Sequence, residues 1–245
     1  MTVLSEQRGR VAVVTLDRPD RRNALDEAHC LSVAAAVRGA VAEGARAVVL
    51  SGAGPHFCAG ADLKGVEDAS FAQVLRGALD ALVNAPVPTI AAVQGAALGA
   101  GTQLAIACDL RVAAPEARFG IPAGRLGLMV DHWTVQRLAL SAGFGPARAM
   151  LLAAEELDGE SAFRLGLVQR MAPVPLDAAL DWASSIAELA PLTLAGHKLA
   201  LNSLEQRVGD DGAVNDAFSR AWASSDLAEG LAAREERRSP DFRGR

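Results

Sequence analysis

Apolar positions in this 245-residue chain recur every second residue in some stretches and every third or fourth in others, and the changes of period mark the predicted elements. Val11 to Asp17 alternates and is rich in valine, as a half-buried strand requires. Asp26 to Glu43 has helical spacing after an Asn-Ala-Leu turn, and Ala47 to Ser51 is a short apolar run that reads as a buried strand. Helical spacing returns from Ser70 to Asn84, where Pro86 and Pro88 stop it because proline lacks an amide hydrogen and clashes with the preceding turn. A strand over Thr89 to Val93, a glycine-rich turn, a helix through Ala107 and a strand over Asp109 to Ala113 follow. From Asp131 onward the pattern is mostly helical apart from a short strand near Val168 to Met171. Strands and helices alternate first and helices dominate last. That order fits an α/β core of repeated strand-strand-helix units, residues 1–190, with a C-terminal helical region, 191–245.

Composition narrows the picture little. With 51% apolar and 22% charged residues the chain buries one substantial core, and one large unit is expected. Cys30, Cys58 and Cys108 are far apart and lack metal-ligand spacing, so free thiols in a reducing compartment are expected, with no metal site and no disulfide. No basic segment followed by an apolar stretch opens the chain and no apolar run reaches spanning length, so a cytoplasmic protein without a membrane span is expected. A net charge of −5 and a pI near 5.4 argue against a nucleic-acid surface, while leaving room for a local basic patch that holds phosphates.

The chemistry concentrates in two small-residue turns, each running from an apolar strand toward a helix. One is residues 54–63, Gly-Pro-His-Phe-Cys-Ala-Gly-Ala-Asp-Leu, and the other is Leu98-Gly-Ala-Gly-Thr-Gln-Leu104. A helix start leaves its first amides without internal partners and carries partial positive charge, so two such starts facing one another make a pocket for a developing oxyanion. Glycine and alanine let a ligand approach those amides closely. No serine-nucleophile motif, phosphate loop or dinucleotide fingerprint accompanies them.

With these turns, the segment Arg18-Pro-Asp-Arg-Arg-Asn-Ala-Leu25, the Phe119-Gly-Ile-Pro122 run and the terminal Pro240-Asp-Phe242, the chain resembles the crotonase superfamily, or enoyl-CoA hydratase/isomerase family, over nearly its whole length. The resemblance implies a right-handed spiral of β-β-α units, a homotrimer or hexamer assembled through C-terminal helices, and an acyl-CoA thioester as ligand. Coenzyme A then arrives as part of that ligand, and no separate cofactor is implied. It assigns the oxyanion amides to Ala61 and Ala100. It places Arg22 and Ala24 along the pantetheine and adenine, Ala59, Asp62 and Leu63 at the adenine-facing turn, and Lys64 near the phosphates. Phe242 and Arg243 match a terminal element that touches the nucleotide of a neighbouring subunit. The alanine-rich stretch from Asp177 to Leu204 reads equally as a subunit interface or as packing within one chain.

The departure from the family pattern lies in the catalytic carboxylates. A hydratase of this family uses two glutamates, and here Gln103 and Ala123 stand in those positions. Glutamine holds a water but takes no proton at neutral pH, and alanine offers no polar group. Each lost acid or base costs about 10² to 10⁴ in rate. Asp131, in Gly127-Leu-Met-Val-Asp-His-Trp133, stands where other branches of the superfamily carry a catalytic aspartate, and it reads both as that group and as the N-cap of a helix starting near His132. Trp133 completes the predicted pocket with Gln103 and Ala123, and Leu98, Ile121, Leu126 and Leu128 are candidates to line an acyl tunnel. The favoured expectation is acyl-CoA binding without hydration. The alternative is a hydratase- or isomerase-type enzyme working through Asp131 or a Gln103-held water.

Overall fold

The computed structural model describes residues 3–62, 70–205 and 212–243. The predicted Leu63 and Lys64 contacts lie outside them. The chain opens with an antiparallel pair, β1 (Val3–Arg8) and β2 (Val11–Leu16), turned at Gly9, and then runs into α1 (Glu27–Ala42). β3 (Ala47–Gly52), β4 (Thr89–Val93) and β6 (Leu110–Ala113) add in parallel beside β2, with α2 (Ser70–Val83), the short β5 (Ala96–Leu98) and α3 (Ala100–Ala107) between them. β7 (Arg118–Gly120) follows β6, and β8 (Glu156–Asp158) and β9 (Arg170–Met171) come later. The large sheet has the order β1-β2-β3-β4-β6-β9 and the small one the order β5-β7-β8.

The two sheets reveal how the units stack. Each passage through the large sheet is followed by a short extended segment in a second layer: Cys58 bridges Ala97, Ala97 pairs with Phe119, and Phe119 pairs with Leu157. Successive turns of the chain therefore lie in register in both layers, giving the expected α/β architecture of β-β-α units. These short segments escaped the sequence pattern because two or three residues are too few to show a period.

The large sheet is covered on both faces. Val48 and Leu50 point into the main core with α1, α2 and α3, while Ala47 and Val49 point to the opposite face, together with Ile90, Ala92 and Val112. That second face receives α7 (Pro175–Ala187) through Ala179, Ala183 and Ala187, spaced one helical turn apart, and their small size lets the helix lie close to the strands. This part of the alanine-rich stretch is thus packing within one chain. α8 (Pro191–Glu205) differs: Lys198 is buried and donates to Asp109 Oδ2 (2.7 Å) and to the carbonyls of Leu82 and Val87, whereas Leu192, Leu199, Leu201 and Leu204 face outward. Asp109 Oδ2 also accepts from the amide and hydroxyl of Thr89, so the buried ion pair is fully hydrogen-bonded.

Between β7 and α8 the chain forms a 3-10 turn over Ala123–Leu126, then α4 (His132–Ala142), α5 (Phe144–Leu152) and α6 (Gly159–Arg164). α9 (Gly212–Trp222) and α10 (Ser225–Glu235) complete the fold. Among the described residues no helix is long and apolar enough to cross a membrane.

One polar residue fixes the start of the site. Arg22 and Asn23 both adopt left-handed backbone, which asparagine tolerates better than most residues. The buried Asn23 side chain accepts from the Arg18 amide (2.9 Å) and donates to the carbonyls of Ala53 (2.9 Å) and His56 (2.7 Å). Asn23→Ala strands these groups and keeps the strained backbone, so a loss of about 3 kcal/mol is expected in urea denaturation at unchanged m-value.

Candidate functional site

Three backbone bonds draw the first motif onto the second. The Ala59 amide donates to the Arg22 carbonyl (2.9 Å), the Leu25 amide to the Gly60 carbonyl (2.8 Å) and the Asp62 amide to the Leu25 carbonyl (2.6 Å). Because Leu25 takes the carbonyl before Ala61 and the amide after it, the Ala61 amide itself points to the other side of the strand. Four of the residues expected along the coenzyme, Arg22, Ala24, Ala59 and Asp62, are thereby gathered at one edge. Asp62 is engaged there by Arg18 at 3.1 Å, and Arg18 also lies 3.6 Å from Asp26.

The second turn lies against the first. The Leu98 amide donates to the Cys58 carbonyl (3.0 Å) and the Gly99 amide to the Gly120 carbonyl (2.8 Å). Gly60 has φ of +108°, and a Cβ placed there would stand 2.9 Å from the Leu98 carbonyl oxygen and 3.9 Å from the Ala100 nitrogen. Only glycine satisfies both the conformation and the approach. Ala100 is the first residue of α3, so its amide is one of those a helix leaves unpartnered. The two alanines therefore stand on turns that touch at Gly60 and Leu98, and both line one cavity.

His56 supports this arrangement. Its Nδ1 faces the Ala96 amide at 3.2 Å, and burial, then the charges of Arg22 and Arg118, push the ring below the ordinary imidazole value, favouring the neutral form that accepts a hydrogen bond.

Both turns open on a cavity of about 170 Å³. Ala59, Gly60, Ala61, Leu98 and Ala100 contribute one wall. Gln103 and Ala123 line it, as do Ile121, Leu126 and Leu128. Gln103 is buried and its carbonyl accepts from the Thr134 hydroxyl (3.2 Å), which leaves its amide hydrogens as donors toward a ligand. Asp131 also lines the cavity, and it is the N-cap of α4: its Oδ1 accepts from the Thr134 amide at 3.0 Å. Its Oδ2 stands 3.6 Å from Nη1 of Arg76, a residue that pairs with Asp80 as well. Trp133 does not line the cavity. It lies behind it, with the Arg76 guanidinium 4.1 Å from its ring centroid.

The remaining wall was not foreseen. α9 and α10 are no appendage: they fold back over the cavity of their own chain and contribute Phe218, Trp222 and Arg234. Trp222 Nε1 donates to the Met129 carbonyl (2.8 Å). α10 sits on the Ala123–Leu126 turn, where a Cβ on Gly230 would come within 2.5 Å of the Leu126 carbonyl oxygen. The terminal segment follows it back, with the Arg243 amide donating to Asp226 Oδ1 at 2.8 Å and the Asp241 amide to Glu229 Oε1 at 2.7 Å. The Arg238 side chain and the Asp241 amide hold Glu229 down to about 2. The Phe218 and Trp222 pair had the spacing of one helix face, but nothing in a sequence says against which surface such a face folds.

With the geometry in view, the comparisons with known proteins agree. The model of the enoyl-CoA hydratase/isomerase family matches residues 6–245. A relative from Mycobacterium tuberculosis, named probable enoyl-CoA hydratase echA6, is 43% identical over 96% of each chain. The 2,3-dehydroadipyl-CoA hydratase of Escherichia coli is 37% identical over 99% of this chain and 98% of its own. Among solved structures, methylmalonyl-CoA decarboxylase in complex with 2-nitronate-propionyl-CoA superposes with a TM-score of 0.92 at 24% identity over 100% and 99% of the two chains, a likeness of fold. An enoyl-CoA hydratase from Mycobacterium avium subsp. paratuberculosis gives 0.85 at 27% identity over 99% of each. The fold and the paired turns define an α/β protein of crotonase type. The chain belongs to the enoyl-CoA hydratase/isomerase family.

Burial pushes the thiols of Cys30, Cys58 and Cys108 up to about 12, and Cys58, directly beside the amide turn, is fully enclosed. At pH 8 a thiol reagent is therefore expected to leave the native protein unmodified and to react with all three cysteines once the chain is unfolded.

Proposed function

We propose that this protein binds acyl-CoA thioesters with the carbonyl oxygen held by the amides of Ala61 and Ala100, and that it does so without hydrating them. The observation that carries this reading is one cavity onto which both turns open and whose wall holds Gln103 and Ala123, the residues that the family resemblance sets at the hydratase glutamate positions. Two amides aimed at a thioester oxygen supply the electrostatic part of catalysis, worth about 3 kcal/mol per donor in other enzymes, but they move no proton. Asp131 is the one carboxylate that lines the cavity among the described residues, and both its oxygens are engaged, one by the Thr134 amide and one by the Arg76 charge. Coenzyme A enters as part of the ligand along Arg22, Ala24, Ala59 and Asp62, with Leu63 and Lys64, outside the described residues, as further proposed contacts, and it needs no separate cofactor. The outward leucines of α8 support a homotrimer or hexamer of a cytoplasmic protein.

A second reading rests on Gln103, whose amide hydrogens face the ligand space and suit it to hold a water: a slow hydratase or isomerase assisted by that water or by Asp131. Calorimetry with hexanoyl-CoA and crotonyl-CoA, combined with mass spectrometry and chromatography of the products, separates the two. Binding with no added water and no isomer is expected, and turnover abolished by Asp131→Asn would replace the first reading with the second.

The amide contact has its own test. Proline is tolerated at the first position of a helix and carries no N–H, so Ala100→Pro deletes one donor and keeps α3. It is expected to weaken hexanoyl-CoA binding about fivefold, the value of one hydrogen bond, and to leave the affinity for coenzyme A itself unaltered.

A further inference from the structure

The cavity is lined mainly by carbon, and its charges do not balance. Among the described residues its charged lining groups are Asp131, Arg76 and Arg234. The first two belong together: Arg76 pairs with Asp80, lies 3.6 Å from Asp131 and stacks on Trp133, so the carboxylates on α2 and α4 already surround it. Arg234 has no ion pair and its side chain no hydrogen-bond partner among the described residues. Arg234 is itself exposed and stands at the rim of the cavity, on a helix that is firmly seated. Gly230, one turn earlier, seats α10 directly on the Leu126 carbonyl, and Phe218 and Trp222 form the same wall.

A guanidinium stays charged at any working pH. A purely hydrocarbon acyl group reaching this rim displaces part of the hydration of the charge and offers no partner in return. A carboxylate there would supply two acceptor oxygens in the geometry that a guanidinium matches bidentately.

We infer that the acyl group this protein takes carries a carboxylate of its own, and that Arg234 is its counter-ion and the residue that sets this specificity. The inference rests on the acyl-CoA reading above and adds the class of acyl chain.

The test compares hexanoyl-CoA with adipoyl-CoA, which has the same number of carbons and ends in a carboxylate, by calorimetry on the intact protein. Adipoyl-CoA is expected to bind at least about tenfold more tightly, the value of one charge-assisted pair. Arg234→Gln should bring the ratio of the two affinities to about one, and Arg234→Lys, which keeps the charge, should retain most of it. Equal affinities in the wild type overturn the inference. So does a ratio unaltered in Arg234→Gln, because an arginine serving the coenzyme or the packing of α10 changes both ligands alike. Binding of neither thioester overturns the acyl-CoA reading itself and this inference with it.

Discussion

The contact of the Gly60 backbone with the Leu98 carbonyl governs the site. Two turns from different β-β-α units must meet without an intervening side chain, and any Cβ at Gly60 would stand where that carbonyl already is. Everything around the contact holds it closed. The buried Asn23 side chain ties the first motif to the carbonyls of Ala53 and His56, Leu25 straps Gly60 and Asp62 from behind, and the Cys58 to Ala97 bridge keeps the second-layer segments in register. The site is thus a property of how units stack, and side chains enter it late.

This division of labour lets chemistry change while binding persists. Backbone amides survive the substitution of neighbouring side chains, so the cavity wall can change its side chains while the contact between the two turns is kept. Gln103 and Ala123 line the cavity together with Asp131, which caps α4 and stands near Arg76.

Much of this was legible in the sequence, for reasons that differ from element to element. The long strands β2, β3, β4 and β6 and the helices α1 to α3 showed their periods, and the amide turns announced themselves by composition. Leu98, Ile121, Leu126 and Leu128 line the cavity as their place in the motifs suggested. The short partners β5, β7 and β8 were invisible because three-residue strands carry no pattern, and their pairing is fixed by neighbours distant in sequence. Trp133 was assigned to the pocket from its position beside Asp131, yet helical geometry turns it behind Arg76. Arg76 and the C-terminal wall were missed altogether. A stripe of apolar residues on α9 says that the helix packs, and only the seat of Gly230 on Leu126 says where.

That seat reaches beyond the geometry of one cavity. Because α9 and α10 roof the cavity of their own chain, a substitution in α10 and one in the amide turns reshape the same space although they are far apart in sequence. That wall and the two turns come from separate stretches of the chain, so the residues of α9 and α10 can change while the contact of Gly60 with Leu98 stays as it was.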